Sequence, residues 1–423
     1  MFKQLLRPAW IVVCLALAQT AGAQNYLPKQ IVFAGTTAAQ SELLAVAGLK
    51  PGSTLTQQDM QAAAQKLIDS GAFSDVRFAF DGQQLLYTLK PAELQPVSYV
   101  NFPWWNEAAL NAAVAAKVPL FQGSVAPESP MQQAVAHALE AMLSAKGIPA
   151  KVSAVPMMDL GGGPVKGVQY HIDSPAVQVG LVTLLGANPA WNPTLEAIAK
   201  AAAGQNFDGA TEETLLKALT AVYHRQGYLK MEMTSFAHGE PQLEGGKVLV
   251  PVTVKVTDGP LYHLGSLQLT GDVLMKPDEF ARTARLHPGD AANEDLLRAT
   301  MAALATPYRQ HGYLRAKIDA EPQFDDTAHT VSYTISVQPG AVFTMGDLNL
   351  INLNEQQTAE VLHYWPLHKG DVYDATVALT FLLKNKNNLP SLRGWSGTWK
   401  AYEHEDTHVV NLEVTFRQGG VLE

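Results

Sequence analysis

The chain has 423 residues, 47% of them hydrophobic and 16% charged, with a formal net charge of −9. That is more than one ordinary domain needs, and the composition excludes a disordered chain. No cluster of Lys and Arg stands out of the acidic balance, which excludes the electrostatic footprint of a nucleic-acid binder.

Residues 1–23 read as a secretory signal. Lys3 and Arg7 give a positive start, residues 9–18 are apolar apart from the indole nitrogen of Trp10, and Ala21-Gly22-Ala23 offers small residues for cleavage before Gln24. An uncleaved anchor would need about 20 residues to cross a bilayer, more than this stretch supplies. Losing Lys3 and Arg7 takes the net charge from −9 to −11. The single cysteine, Cys14, lies inside the signal, and Val12-Val13 before it does not fit a lipid-attachment site. The expected mature chain has no thiol for a disulfide, a metal or nucleophilic catalysis.

A repeat follows. Four helix-like stretches end in glycine and pass at once into an alternating strand, at Gly71, Gly147, Gly227 and Gly312. Their separations of 76, 80 and 85 residues set a unit of roughly 80. Glycine suits a helix that ends in a left-handed residue before a sharp turn. Upstream lie helical stripes: Met60, Ala63, Ala64, Leu67 and Ile68; Leu215, Leu219, Val222 and Tyr223; Leu296, Leu297, Met301 and Leu304. Three loops, Leu49-Lys50-Pro51-Gly52, Leu286-His287-Pro288-Gly289 and Leu367-His368-Lys369-Gly370, join shorter first helices at 41–47, 277–284 and 355–364 to the second.

Opening strands are predicted at 30–33, 97–102, 177–184, 263–269 and 342–350, and closing strands at 85–89, 165–172, 248–256, 331–337 and 409–416. Asp81-Gly82 is a strong hairpin turn in the first copy. Each copy therefore reads strand, helix, helix, strand, strand, over 28–91, 96–174, 176–258, 261–339 and 341–418. The second copy lacks the Pro-Gly landmark and carries Gly161-Gly162-Gly163 in its hairpin; the fifth replaces the glycine cap with residues 385–391.

In the first copy, Ile31-Val32-Phe33-Ala34-Gly35, Glu42-Leu43-Leu44, Gly48-Leu49-Lys50-Pro51-Gly52, Leu67, Gly71-Ala72-Phe73-Ser74-Asp75-Val76 and Leu86-Tyr87-Thr88-Leu89 resemble a POTRA (polypeptide-transport-associated) domain. The motifs are most specific in copies one and four, and the copies together cover about 28–418. The resemblance implies an α+β fold of tandem βααββ domains, each with two helices on a three-stranded mixed sheet. It implies a non-enzymatic periplasmic scaffold peripheral to the outer membrane, without a cofactor, whose partners are proteins of outer-membrane assembly or transport. It also implies that the strand after the helices lies at a sheet edge and takes partner segments as an added strand, a mode resting on backbone hydrogen bonds.

Those edges are read at 76–80, 230–234 and 315–319, with Val76, Phe78, Lys230, Glu232, Arg315 and Lys317 as candidate partner-binding residues. Leu229, Met231 and Met233 alternate with Lys230 and Glu232, so the charges face solvent. The same charges could instead guard the edges against unwanted pairing. Family members that build membrane barrels carry one after the array. Eight strands of about 10 residues exceed the seven residues after Phe416, so the chain is read as an array without that barrel.

Other chemistry is thin. Trp104-Trp105 reads first as packing and second as an aromatic anchor for a partner, and Trp365, Trp395 and Trp399 divide the same way. His404-Glu405-Asp406-Thr407-His408 reads as a polar hairpin turn before a metal cluster, since zinc needs three or four converging ligands. Gly161-Gly162-Gly163 lacks the Lys-Ser/Thr of a phosphate loop. Two other classes remain beside the scaffold: an adaptor joining envelope complexes through fixed surfaces, and a hydrolase built from scattered His, Asp and Glu.

Overall fold

The computed structural model describes residues 25–159, 161–385 and 388–419. The proposed signal at 1–23, with Cys14, lies outside the described residues. Within them the order strand, helix, helix, strand, strand occurs five times. The chain divides into two compact units, one of residues up to 183 with 201–212 and 237–252, the other of 184–200, 213–236 and 253–423. The dividing line falls inside the third repeat.

In the first unit, strand Gln30–Ala34 is followed by helices Gln40–Ala47 and Gln57–Asp69 and strands Phe73–Phe80 and Gln84–Pro91. The second helix starts where Thr56 and Asp59 form a reciprocal capping box, and it buries Met60, Ala63, Ala64 and Leu67. The last strand lies in the middle of the sheet: Gln30–Ala34 pairs with it in parallel, Val32 opposite Leu86, and Phe73–Phe80 pairs antiparallel, Phe78 opposite Tyr87. The fully buried Tyr87 donates its hydroxyl to the Met60 carbonyl at 3.0 Å. Burial pushes that phenol's pKa well up, so it stays a donor at any physiological pH. Tyr87→Phe is expected to cost about 1 kcal/mol, the usual net value of one such bond, measured by urea unfolding.

The second repeat contains Gln95–Val100, helices Glu107–Ala115 and Pro130–Ala145, and strands Lys151–Met157 and Gly167–Ser174. A short strand, Ser124–Val125, pairs with Gln95–Val100, so this sheet has four strands rather than the expected three. Residues of both repeats share one core, Leu67, Tyr87, Leu139 and Tyr170 among them. The third repeat begins with Val177–Leu185 and helices Asn192–Ala202 and Gly209–Arg225, and ends with Glu232–His238, Gln242–Glu244 and Lys247–Thr257. Gln242–Glu244 is an unpredicted strand that hydrogen-bonds antiparallel to the start of Lys247–Thr257.

In the second unit the fourth repeat comprises His263–Gly271, Pro277–Thr283, Glu294–Gln310, Lys317–Asp325 and Thr330–Gln338. The fifth comprises Thr344–Ile351, Glu355–Tyr364, Val377–Lys384, Trp395–His404 and Val409–Gln418. Both repeat the first sheet's order, with the last strand central and the strand after the helices at the edge. Leu296, read as part of the fourth helical stripe, is exposed; the stripe is Leu297, Thr300, Leu304 and Tyr308.

Candidate interaction edges and the joints beside them

Two of the three expected edges are open, those of the first and fourth repeats, and the second and fifth repeats add two that were not expected; the third-repeat strand Glu232–His238 pairs with Lys247–Thr257, which also pairs with Gln242–Glu244. Among the described residues, Phe73–Phe80, Lys151–Met157, Lys317–Asp325 and Trp395–His404 each pair on one side only within their sheets. Val76 and Phe78 lie on the first edge, half-buried. The Phe78 ring sits 5.7 Å from Tyr87, so its side chain serves the core while the strand offers backbone outward. Glu232 and Lys317 open their strands and are exposed.

Lys230 and Arg315 are placed differently. Their strands begin two residues later than the alternation suggested, at Glu232 and Lys317, and both cations occupy the turn after the repeat glycine. Each reaches to the closing hairpin of the next repeat. Lys230 Nζ lies 2.5 Å from Asp326 Oδ1 and 4.7 Å above the Phe324 ring. Arg315 donates to Glu405 Oε1, from Nε at 2.9 Å, and lies 2.5 Å from Glu403.

The backbone beside each cation repeats the same contact. Tyr262 N–H donates to the Gly227 carbonyl at 2.9 Å, and Ala292 N–H to the Tyr262 carbonyl at 2.9 Å. One repeat on, Phe343 N–H donates to Gly312 at 2.8 Å and Tyr373 N–H to Phe343 at 2.9 Å. The first of these joints is further tied by Arg225 to Asp295 at 2.7 Å. Arg315→Ala is expected to leave the melting temperature nearly unchanged, since exposed ion pairs contribute little. Hydrogen exchange at the Phe343 amide should nevertheless quicken several-fold.

The joint at Tyr262 carries a pH dependence. The Lys230 ammonium, with help from the Tyr262 hydroxyl, holds Asp326 below the usual carboxylate range, and Arg225, with Arg298, does the same for Asp295. A folded pKa below the unfolded value gives stability that is present above about pH 4 and lost as pH falls through the depressed values. The Tyr262 and Ala292 amides should therefore lose protection below about pH 4 while the Leu304 core holds.

Of the aromatic candidates, Trp104 and Trp105 are partly buried against the first unit's core, their rings 5.8 Å apart, with Lys146 Nζ 5.5 Å from the Trp105 ring. Trp365 is buried 4.8 Å from Phe381 and Trp395 packs on the same core, whereas Trp399 is 41% exposed on an edge strand. In the 404–408 turn, Glu405 binds Arg315 and the His408 ring meets Phe343 edge-on at 5.3 Å. Among the described residues no three or more His, Cys, Asp or Glu side chains are placed to hold a metal ion, and no helix is long and apolar enough to cross a membrane.

One polar trio escaped the sequence reading. Ser153 and His171 face each other across paired strands; Ser153 Oγ is 3.2 Å from His171 Nε2 and donates to Asp173 Oδ1 at 2.9 Å. Asp173 Oδ1 also lies 2.8 Å from that same Nε2. A nucleophile–base–acid relay needs Ser and carboxylate on opposite ring nitrogens, so this trio is a cross-strand polar cluster.

Residues 262–340 match the family model named POTRA, described as surface antigen variable number repeat. A protein of Treponema pallidum (strain Nichols), provisionally named an outer membrane protein assembly factor, is 24% identical over 186 residues, 43% of this chain and 22% of its own length. The chain thus spans about a fifth of that relative. The crystal structure of Haemophilus influenzae BamA POTRA3-5 aligns at 19% identity with a TM-score of 0.42, covering 58% of this chain and 98% of that one. The N-terminal domain of Omp85 from Thermosynechococcus elongatus aligns at 17% identity and a TM-score of 0.24, covering 59% and 100%. Residues 262–340 match the POTRA family, and the chain's resemblance to tandem POTRA domains, drawn from its repeat, stands.

Proposed function

We propose that the chain is an exported, non-enzymatic periplasmic scaffold for outer-membrane protein assembly or transport. Its five POTRA-like domains would be 28–91, 96–174, 176–258, 261–339 and 341–418, and its partners proteins that add an extended segment to a sheet edge. The observation that carries this reading is the open edge left by the strand after the helices in the first and fifth sheets. An unpaired row of N–H and C=O groups recognises any extended segment with little regard to sequence, which suits a protein that handles many partners. The name of the Treponema relative supports the same setting.

The clasps at Lys230 and Arg315 favour a second reading, an adaptor whose repeats hold fixed surfaces in fixed order. Equilibrium binding separates the two. Several unrelated outer-membrane barrel proteins, kept unfolded in urea and then diluted, should each raise the anisotropy of a labelled chain, and the same proteins folded should not. One stoichiometric folded partner, with no response to unfolded barrels, would establish the adaptor instead.

A further inference from the structure

The four edges are not chemically alike. Lys317–Asp325 pairs with Thr330–Gln338 without a break in register, and Pro322 stands opposite Tyr333 in the middle of that ladder. Proline has no N–H to give the ladder, so its ring nitrogen must face the open side. Alternate residues of an antiparallel edge strand direct N–H and C=O outward, so Ile318, Ala320, Pro322 and Phe324 form the outward set. Pro322 removes a donor from that set and puts its ring where an incoming carbonyl would sit. Lys151–Met157 carries the same device: Pro156 lies opposite Val168 in a register continuous from Val152 onward, and shares its parity with Val152 and Ala154.

The other two edges lack it. The position equivalent to Pro322 is set by pairing and by the hairpin turn. Phe78 lies opposite Tyr87, three residues before Asp81, as Pro322 lies opposite Tyr333, three residues before Asp325; Asp81 and Asp325 each accept two turn N–H groups. In the fifth repeat His408, at φ +51°, matches His329 at φ +50°, which puts Ala401, opposite Leu412, in the Pro322 place. Phe73–Phe80 and Trp395–His404 contain no proline.

We infer that Pro156 and Pro322 close the second and fourth sheets to strand addition, and that an extended partner segment is received at only two of these four edges, Phe73–Phe80 and Trp395–His404. This rests on the strand-addition reading above and narrows it. The fifth edge is the longer, ten residues against eight, so it offers more backbone, and it exposes one aromatic ring on each face, Trp399 on one and Tyr402 on the other. The fourth edge sets Lys317, Asp319 and Glu321 beside its blocked middle, but the open edges carry charge as well, at Arg77 and Lys400, so the proline is what separates them. Proline and charge on an edge are how sheets avoid unwanted pairing.

The test is hydrogen exchange of the full chain with and without a proline-free ten-residue peptide alternating Val and Thr. Protection should grow several-fold at 73–80 and 395–404 and stay unchanged at 151–157 and 317–325. Pro322→Ala should then gain protection at 317–325, and Ala401→Pro, which copies a proline the ladder already tolerates, should lose it at 395–404. Equal protection at 317–325 in the unaltered chain would overturn the inference while leaving strand addition intact. Protection at no edge would sink both. Protection at 395–404 that rises with protein concentration and needs no peptide would assign that edge to a second copy of the chain and overturn the proposal. If Pro322→Ala unfolds, judged by exchange in the Leu304 core, the contrast between edges in the unaltered chain still decides the question.

Discussion

Gly312→Val is expected to destabilise the second unit by at least about 2 kcal/mol and to open its last joint. Two costs combine. Gly312 has φ +79°, a left-handed conformation that a β-branched residue adopts only under strain. A Cβ there would also stand 2.6 Å from the Phe343 carbonyl oxygen and 3.0 Å from methyl carbons of Val342 and Val372. The substitution therefore strikes where Phe343 N–H meets the Gly312 carbonyl. Gly289→Val separates the costs, because Gly289 has φ +90° but nothing within 4 Å of its added Cβ. Denaturant unfolding should show Gly312→Val as the more damaging of the two, and only Gly312→Val should speed exchange at the Phe343 and Tyr373 amides.

The second large effect is expected at Phe381. Helix Val377–Lys384 has only eight residues and no capping hydrogen bond from the side chain of Thr376 at its start, so it has little stability of its own. Burial of Val377, Ala378, Phe381 and Leu382 holds it, with Phe381 2% exposed and its ring 4.8 Å from Trp365. Phe381→Ala should cost about 3–5 kcal/mol, the range for deleting a buried phenyl ring. Leu383→Ala, two residues on and 61% exposed, should stay within about 0.5 kcal/mol. Equal losses at the two positions would mean that this helix is not anchored as described.

How much was legible follows from where each signal lies in the chain. The repeat order could be read because its marks are local: a glycine where a helix turns into a strand, an Asp-Gly hairpin turn, a stripe at three-and-four spacing. The strands Ser124–Val125 and Gln242–Glu244 could not, being too short to show alternation. Lys230 and Arg315 were legible as solvent-facing charges and illegible as clasps. Their acidic partners lie 96 and 90 residues away, and the alternation runs unbroken from the turn into the strand. Pro156 and Pro322 were visible as residues, but the side their ring nitrogens face depends on register. The Ser153, His171 and Asp173 trio likewise needed the pairing that brings its strands together.

In-cell photo-crosslinking from Arg77 and Lys400, exposed residues on the two proline-free edges, tests the scaffold reading most directly, with mass spectrometry identifying what is trapped. Outer-membrane barrel precursors, or the proteins that assemble them, are expected at both positions. A single unrelated envelope protein, or no adduct while the chain is folded and exported, would contradict it.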